Sequence, residues 1–523
     1  MDGKFDILII GTGAAGSVLA GQLAEAGLSV ICLDAGPYWD PKKDWVSDEW
    51  EMRKLFWDWP RVNASAGENR IGIGTSTSGK AVGGGTIHYT MMALRLHPSD
   101  FKTKSLDGVG VDWPITYDDL APYYDFIERE LPVAGPEDWP WEGKGNYPQP
   151  EHQTDCQADK FIEGCEKLGI RSAVCPLAMV TAYYKDPWGF KREPCTNRGF
   201  CHEGCKPNAK SHALLNFIPK AKKYNAEIVP NAYVTKILTD KNGKVSGAEF
   251  VRNGATQCIN AKIVILSAFA IETPRLLFVS KNIDFPDGLA NSSGVVGRYL
   301  MVHSDHLVYA KFPKPVRMYR NPPTTVITQD FYETDPKNSY KRGFSIGPYS
   351  GRPIDFVNLA VNSRRDLWGK RLLDFMKDYN YYMRNGIIGE VLPNKENRIE
   401  LSDEIGEFGM PIPIIYFKYG DNDRKLIERG LKISKDIMKA AGAIETFPAP
   451  ASAHLMGTCR MGGDPKTSVV NSYGQSHDIP NLFIAGTPIF VTSGAANPTL
   501  TAQALAVRAA EYIVKQMKEG DGL

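Results

Sequence analysis

Three kinds of residue grouping in this 523-residue sequence are spaced for chemistry. The first is glycine-rich. Gly11-Thr12-Gly13-Ala14-Ala15-Gly16 lies between an apolar strand at residues 5–10 and a helical pattern at 17–26, and Asp34 closes the next apolar strand at 28–33. A glycine turn between strand and helix lets a pyrophosphate approach the backbone, the helix start supplies free N–H groups, and an acid after the second strand suits a ribose hydroxyl. This predicts a dinucleotide site and leaves FAD and NAD open. A second glycine run, Gly79-Lys80-Ala81-Val82-Gly83-Gly84-Gly85-Thr86-Ile87-His88, would let backbone approach a flat, bulky ligand.

The second grouping is sulfur. Cys195, Cys201 and Cys205 are three of nine cysteines. Thiolates at these spacings suit an iron–sulfur cluster or, with His202, a zinc ion, and packed free thiols are the alternative. The third grouping is histidine. His303 and His306 have a paired spacing that can mimic a metal site, though a strand-to-loop crossing beside the ligand accounts for it more simply. His454 lies in Ala453-His454-Leu455-Met456-Gly457-Thr458, and Asn497 in Gly494-Ala495-Ala496-Asn497-Pro498-Thr499-Leu500-Thr501, which opens the last helical segment.

Four such motifs, in this order, resemble the glucose-methanol-choline (GMC) oxidoreductase family over nearly the whole chain. Ile271-Glu272-Thr273-Pro274-Arg275 and Asn481-Leu482-Phe483-Ile484-Ala485-Gly486 are part of the likeness. Within the family, residues 100–125 and 284–293 resemble the FAD-dependent bacterial dehydrogenases of glucose, fructose or gluconate. His88 resembles the same group and pyranose oxidase, where the matching histidine is bonded to the flavin; packing beside the flavin is the other reading.

The resemblance implies FAD, held by Gly11, Gly13, Ala14, Ala15, Gly16, Asp34 and Ala35, and by Lys80, Val82, Gly83, Gly84, Gly85, Thr86 and His88. Val234, Gly486, Asn497, Pro498 and Thr499 complete the expected cofactor contacts. It also implies that His454 accepts the hydroxyl proton of an alcohol as a hydride leaves the carbon, with Asn497 positioning the same oxygen. Histidine can be neutral at physiological pH and serve as that base; an amide can donate but not accept the proton. In the sugar dehydrogenases, three cysteines at like spacing hold a [3Fe–4S] cluster that feeds a cytochrome. The expected partners are therefore a sugar or glycoside substrate, a small chaperone or export subunit and a cytochrome c subunit. Lys206-Pro207-Asn208 after Cys205 departs from the cluster-bearing pattern. Phe269 stands where a glycine is common, and Gly486-Thr487 where many members carry an acid.

These residues need a scaffold. The expected fold is α/β: a discontinuous Rossmann-like FAD domain from residues 1–100, 195–305 and 450–523, and a substrate domain with an antiparallel sheet from 101–194 and 306–449. Strands are predicted at 227–229, 234–239, 245–251, 262–266, 387–391, 398–401 and 413–417. Helices are predicted at 213–223, 422–441 and 499–517. Residues 100–190, rich in Pro, Trp and Tyr, read as extended loops with short helices. Charge is balanced, with 61 basic and 60 acidic residues, which gives nucleic acid no electrostatic foothold. No apolar run reaches the roughly 20 residues of a membrane span. The opening Met1-Asp2-Gly3-Lys4-Phe5-Asp6 shows no signal peptide, which predicts a cytoplasmic protein, with export alongside a partner subunit the alternative.

Overall fold

The structure, a computed structural model, describes residues 5–57, 62–64 and 78–519. The first four residues and the last two of the Trp-rich stretch at 45–59 lie outside that set. Phe5–Ile10 forms the centre of a seven-stranded sheet. Val30–Leu33 pairs parallel on one side and Ala255–Leu266 on the other, with Ile7 against Val30 and Ile263. Glu227–Val229 and Leu482–Ile484 extend the parallel set outward. The central strands are apolar on both faces, as expected for a sheet covered by helices on each side. Ala255–Leu266 is longer than its neighbours need. Its first half leaves the parallel layer and pairs antiparallel with Val245–Arg252, which pairs with Tyr233–Thr239.

Helix Ala14–Glu25 packs between the sheet and two other helices, Phe217–Lys223 and Thr499–Glu519. Its Gly21 lies against Lys220 and Phe217. The nucleotide half of the molecule is thus built from the beginning, the middle and the end of the chain.

The second layer is antiparallel. Phe344–Pro348, Tyr382–Gly389, Leu307–Lys311 and Glu445–Ala449 form a four-stranded sheet in that order. Helix Asp421–Ala440 covers it with Leu426, Ile433 and Ile437, spaced along one face, in contact with Phe344 and Ile387. Arg398–Ile405 and Pro411–Tyr416 make a separate antiparallel pair.

Residues 100–190 carry helices, as expected among the loops, but two of them are longer than the short ones expected. Tyr117–Glu130 is a 14-residue helix, and Cys156–Lys167 a 12-residue one. The signals are local. The Thr116 hydroxyl accepts from Asp119 N while Asp119 bonds back to Thr116, a capping box. Pro122, the sixth residue of that helix, lies past its first turn and removes one intrahelical hydrogen bond. Asp155 caps the second helix through Gln157 N and Ala158 N. Aromatic-rich composition masked both periodicities.

Candidate active site

The turn after the first strand is forced. Gly11 has φ 91, and a Cβ there would lie 2.5 Å from the carbonyl oxygen of Ser267. A Cβ on Gly16 would lie 2.0 Å from the Gly11 carbonyl oxygen. Gly11 therefore makes the bend, and Gly16 lets the helix return beneath it. Gly13 is different: its Cβ position meets only Gly84 Cα, at 3.9 Å, so its face stays open for a phosphate. Gly13 and Gly84 bring the two glycine loops together. Thr12 fastens them, its hydroxyl accepting from Gly83 N at 3.3 Å and donating to Asp34 at 2.5 Å. Asp34 also accepts from Thr12 N and Gly36 N. Burial nevertheless raises its pKa, against those hydrogen bonds.

A cavity of about 690 Å³ runs from these loops into the antiparallel layer. Gly11, Gly13, Ala14, Ala15, Asp34 and Ala35 line its nucleotide end. Lys80, Gly84, Gly85, Thr86, His88 and Val234 continue the wall. Gly486, Asn497, Pro498, Thr499 and His454 close the far side. Gly16, Val82 and Gly83 lie outside the lining. Val82 packs with Trp45, Met52 and Ile87 in a core behind the loop.

At the far side, Ala453–Met456 pairs antiparallel with Met301–His303. Met301 faces Met456 but His303 faces Ala453, so one strand takes three steps where the other takes two. His454 sits in this bulge with φ 59, a conformation that costs a non-glycine residue about 1–3 kcal/mol. The bulge brings its ring onto two partners. His454 Nδ1 is 2.9 Å from His303 Nδ1, and His454 Nε2 is 3.1 Å from Asn497 Nδ2.

The proton positions follow by elimination. His303 Nε2 lies 3.1 Å from Ser493 O and 2.9 Å from Gly494 O. Carbonyls only accept, so Nε2 carries the proton and, in the neutral ring, Nδ1 is bare. His454 Nδ1 must then donate to it, which leaves the lone pair of His454 on Nε2, facing Asn497. Burial, then His303, holds His454 well below the usual histidine pKa. Burial pushes His303 down to about 4, against the two carbonyls. Burial thus favours the neutral form of both rings, with the lone pair of His454 on Nε2.

The loop bearing Asn497 is held from outside the cavity. Thr492 donates to Asp100 O and accepts from Trp113 Nε1. Tyr332 donates to Asp100 Oδ2 and accepts from Ala495 N. Ser345 donates to Ala495 O. Sequence reasoning missed Tyr332 and Ser345, which carry no motif.

The GMC oxidoreductase N-terminal family model matches residues 5–305 and the C-terminal model residues 393–506. The chain belongs to the GMC oxidoreductase family. It is 33% identical to 2-methyl-1,2-propanediol dehydrogenase of Mycolicibacterium austroafricanum, covering 98% of this chain and 96% of that one. It is 30% identical to the fructose dehydrogenase large subunit of Gluconobacter japonicus, covering 98% of each, and 30% identical to 6'''-hydroxyparomomycin C oxidase of Streptomyces lividus, covering 99% and 92%. Among solved structures, formate oxidase of Aspergillus oryzae superposes with a TM-score of 0.72 at 17% identity, over 99% of this chain and 100% of that one, which shows the shared fold.

This GMC oxidoreductase is an FAD-dependent enzyme acting on CH–OH groups, and its residues fit the cofactor. The open face of Gly13 and the abutting glycine loops make a cradle that a Cβ would narrow. His88 Nε2 is buried in the wall with no hydrogen-bond partner among the described residues. Burial, then the Lys210 ammonium, pushes the His88 pKa down to about 3. That ammonium donates to the carbonyls of Ile87, Tyr89 and Cys201 and so fixes the turn that presents His88. Phe269, in the glycine-favouring position, has φ 71 and lines the cavity.

The cysteines do not fit a cluster. Cys195, Cys201 and Cys205 are free thiols, and among the described residues no three His, Cys, Asp or Glu side chains are gathered to hold a metal ion. Lys210 N donates to Cys205 Sγ at 3.4 Å, and Cys195 Sγ turns to Asn197. Burial, then the neighbouring Cys205 and Cys195, raises the Cys201 thiol well above its usual range. His202 lines the cavity, so the Cys₃His zinc set is not assembled either. His303 and His306 likewise form no metal site; His303 is spent on His454.

Proposed function

We propose that this enzyme oxidises an alcohol carbon of a sugar, glycoside or related polyol, with His454 as general base and Asn497 as the positioning group. The observation that carries the reading is the His303–His454–Asn497 chain of hydrogen bonds, in which the unprotonated His454 Nε2 meets Asn497 Nδ2 at the cavity wall. The substrate hydroxyl donates to His454 Nε2 and accepts from Asn497. His454 takes the proton, and the carbon gives up a hydride and becomes a carbonyl. FAD, when bound, supplies the hydride acceptor. The charge left on His454 is relieved through its Nδ1–H, which is directed at a ring whose other nitrogen is anchored on two carbonyls that favour a cation.

The same reading assigns residues 1–100, 195–305 and 450–523 to the cofactor and 101–194 and 306–449 to the substrate. Asp34 serves the ribose, beyond its two backbone bonds. The sugar-like substrate draws support from relatives named for fructose and gluconate. A partner subunit draws support only from the fructose relative being a large subunit. A flavin carrier that only relays electrons has no use for a positioned base.

Rapid mixing of the FAD-loaded enzyme with a panel of sugars and polyols, followed by flavin bleaching, tests the reading. His454→Ala should keep FAD and lower the bleaching rate by roughly 10²–10⁴-fold, the usual contribution of a positioned base. An unchanged rate in that variant would overturn it.

A further inference from the structure

The substrate end of the cavity contains unpaired polar atoms that the base does not use. Asp305 lies two residues beyond His303, where the Met301–His303 strand turns into Leu307–Lys311. Its Oδ1 is buried with no hydrogen-bond partner among the described residues. Arg384 stands on the neighbouring strand, opposite Tyr309. It is 7% exposed and heavily engaged: Nη1 donates to Tyr309 Oη at 3.0 Å, and Nη2 to Ser350 O at 2.6 Å and Asp355 Oδ2 at 2.5 Å. Its Nε is buried and unpartnered among the described residues, as is Ser350 Oγ. Asp305, Arg384 and Ser350 all line the cavity.

The two charged groups sense each other without meeting. Arg384 draws the Asp305 carboxyl down while burial pushes it up, to about 7. Yet among the described residues the ion pair of Arg384 is with Asp355. A buried acceptor and a buried donor, each left open, cost stability unless a ligand completes them. An ammonium would complete only Asp305, and a carboxylate only Arg384. A hydroxyl both donates and accepts, and has the chemistry to serve either group.

We propose that Asp305 and Arg384 form a subsite for a second hydroxyl of the substrate, one that does not react. The inference rests on the alcohol-oxidation reading only for the carbinol at His454. The subsite makes the enzyme selective for polyols over simple alcohols, and it fixes which carbon of a ring reaches the base. A sugar held at two points can turn only one of its carbinols toward His454.

The test uses FAD-loaded enzyme under anaerobic conditions. A hexopyranose, its monodeoxy analogues and the matching amino sugars are titrated while the flavin absorbance reports binding, and rapid mixing then reports bleaching. With wild-type enzyme, removing one particular hydroxyl should weaken binding by roughly 10- to 100-fold, as leaving buried partners unpaired does. In Asp305→Ala that penalty should fall to within about 3-fold while FAD occupancy is kept. Asp305→Asn preserves the volume, guards against misfolding and should give an intermediate penalty.

The same deoxy penalty in wild type and both variants would overturn the subsite. So would an amino sugar bound more tightly than its parent, or a panel that does not bind. Binding with the expected pattern but no bleaching would uphold the subsite and sink the oxidation chemistry. Bleaching with a pattern indifferent to residue 305 would do the reverse.

Discussion

Replacing His303 isolates the tautomer from every other feature of the site. The side chain is fully buried and absent from the cavity lining, so it touches neither substrate nor cofactor. Its Nδ1 accepts the only proton on the neutral His454 ring. In His303→Phe that N–H has no acceptor, and a buried donor left unpaired costs about 1–3 kcal/mol. The ring escapes the cost by moving its proton to Nε2, the nitrogen that must stay bare. A 1–3 kcal/mol bias between tautomers corresponds to a loss of about 5- to 150-fold in the competent form, at 1.4 kcal/mol per tenfold. Flavin bleaching should slow by that factor, with substrate affinity and FAD content unchanged. His303→Gln offers a side-chain oxygen to the same N–H and should recover much of the rate. Stopped-flow bleaching at saturating substrate is the assay. Wild-type speed in His303→Phe would refute the tautomer argument; equal slowing in the Phe and Gln variants would mean that the ring acts only by filling space.

Three further outcomes follow from the same geometry. Both site histidines have folded pKa values below their usual value, so the base is neutral above the folded pKa and lost as pH falls through it: kcat/KM should hold nearly level as pH falls from 7 through the free-histidine value of about 6.5, and a half-loss there would contradict the assignment. Gly13→Val should leave the protein folded but FAD-poor, because a branched side chain enters the open cradle beside Gly84; full flavin occupancy on gel-filtered protein would show the cradle is elsewhere. The purified protein should carry no iron in stoichiometry with its flavin, and Cys201→Ser should leave the visible spectrum unchanged, since no metal set is gathered near residues 195–205; iron that is present in wild type and lost in Cys201→Ser would reverse that conclusion.

The parts of the fold that were legible in the sequence are those governed by neighbours in the chain. The glycine turn could be read because Gly16 answers a steric demand within six residues, the Gly11 carbonyl, although the demand on Gly11 itself comes from Ser267 far along the chain. The helix at 421–440 could be read because its apolar stripe repeats without interruption. His454 and Asn497 were reachable only through resemblance; each alone is an ordinary polar residue. Their geometry was out of reach. The contact of His303 with His454 spans 151 residues and depends on one extra residue in a short strand pair, which no periodicity announces. Asp305 and Arg384 were invisible for the same reason. The cysteine spacing left cluster, zinc and free thiols open because spacing says nothing of where thiols point; Lys210 and Asn197 take two of these sulfurs into local bonds.

The sheet that carries the dinucleotide turn is completed late. Phe5–Ile10 and the glycine turn leave the ribosome first, but Leu482–Ile484 pairs beside Ala255–Leu266, and Thr499–Glu519 lies against Ala14–Glu25. Pro498 and Thr499, at the head of that helix, belong to the cavity wall. Cofactor capture therefore waits until residues 482–519 have joined residues 5–25, whatever the order in which the rest of the fold assembles.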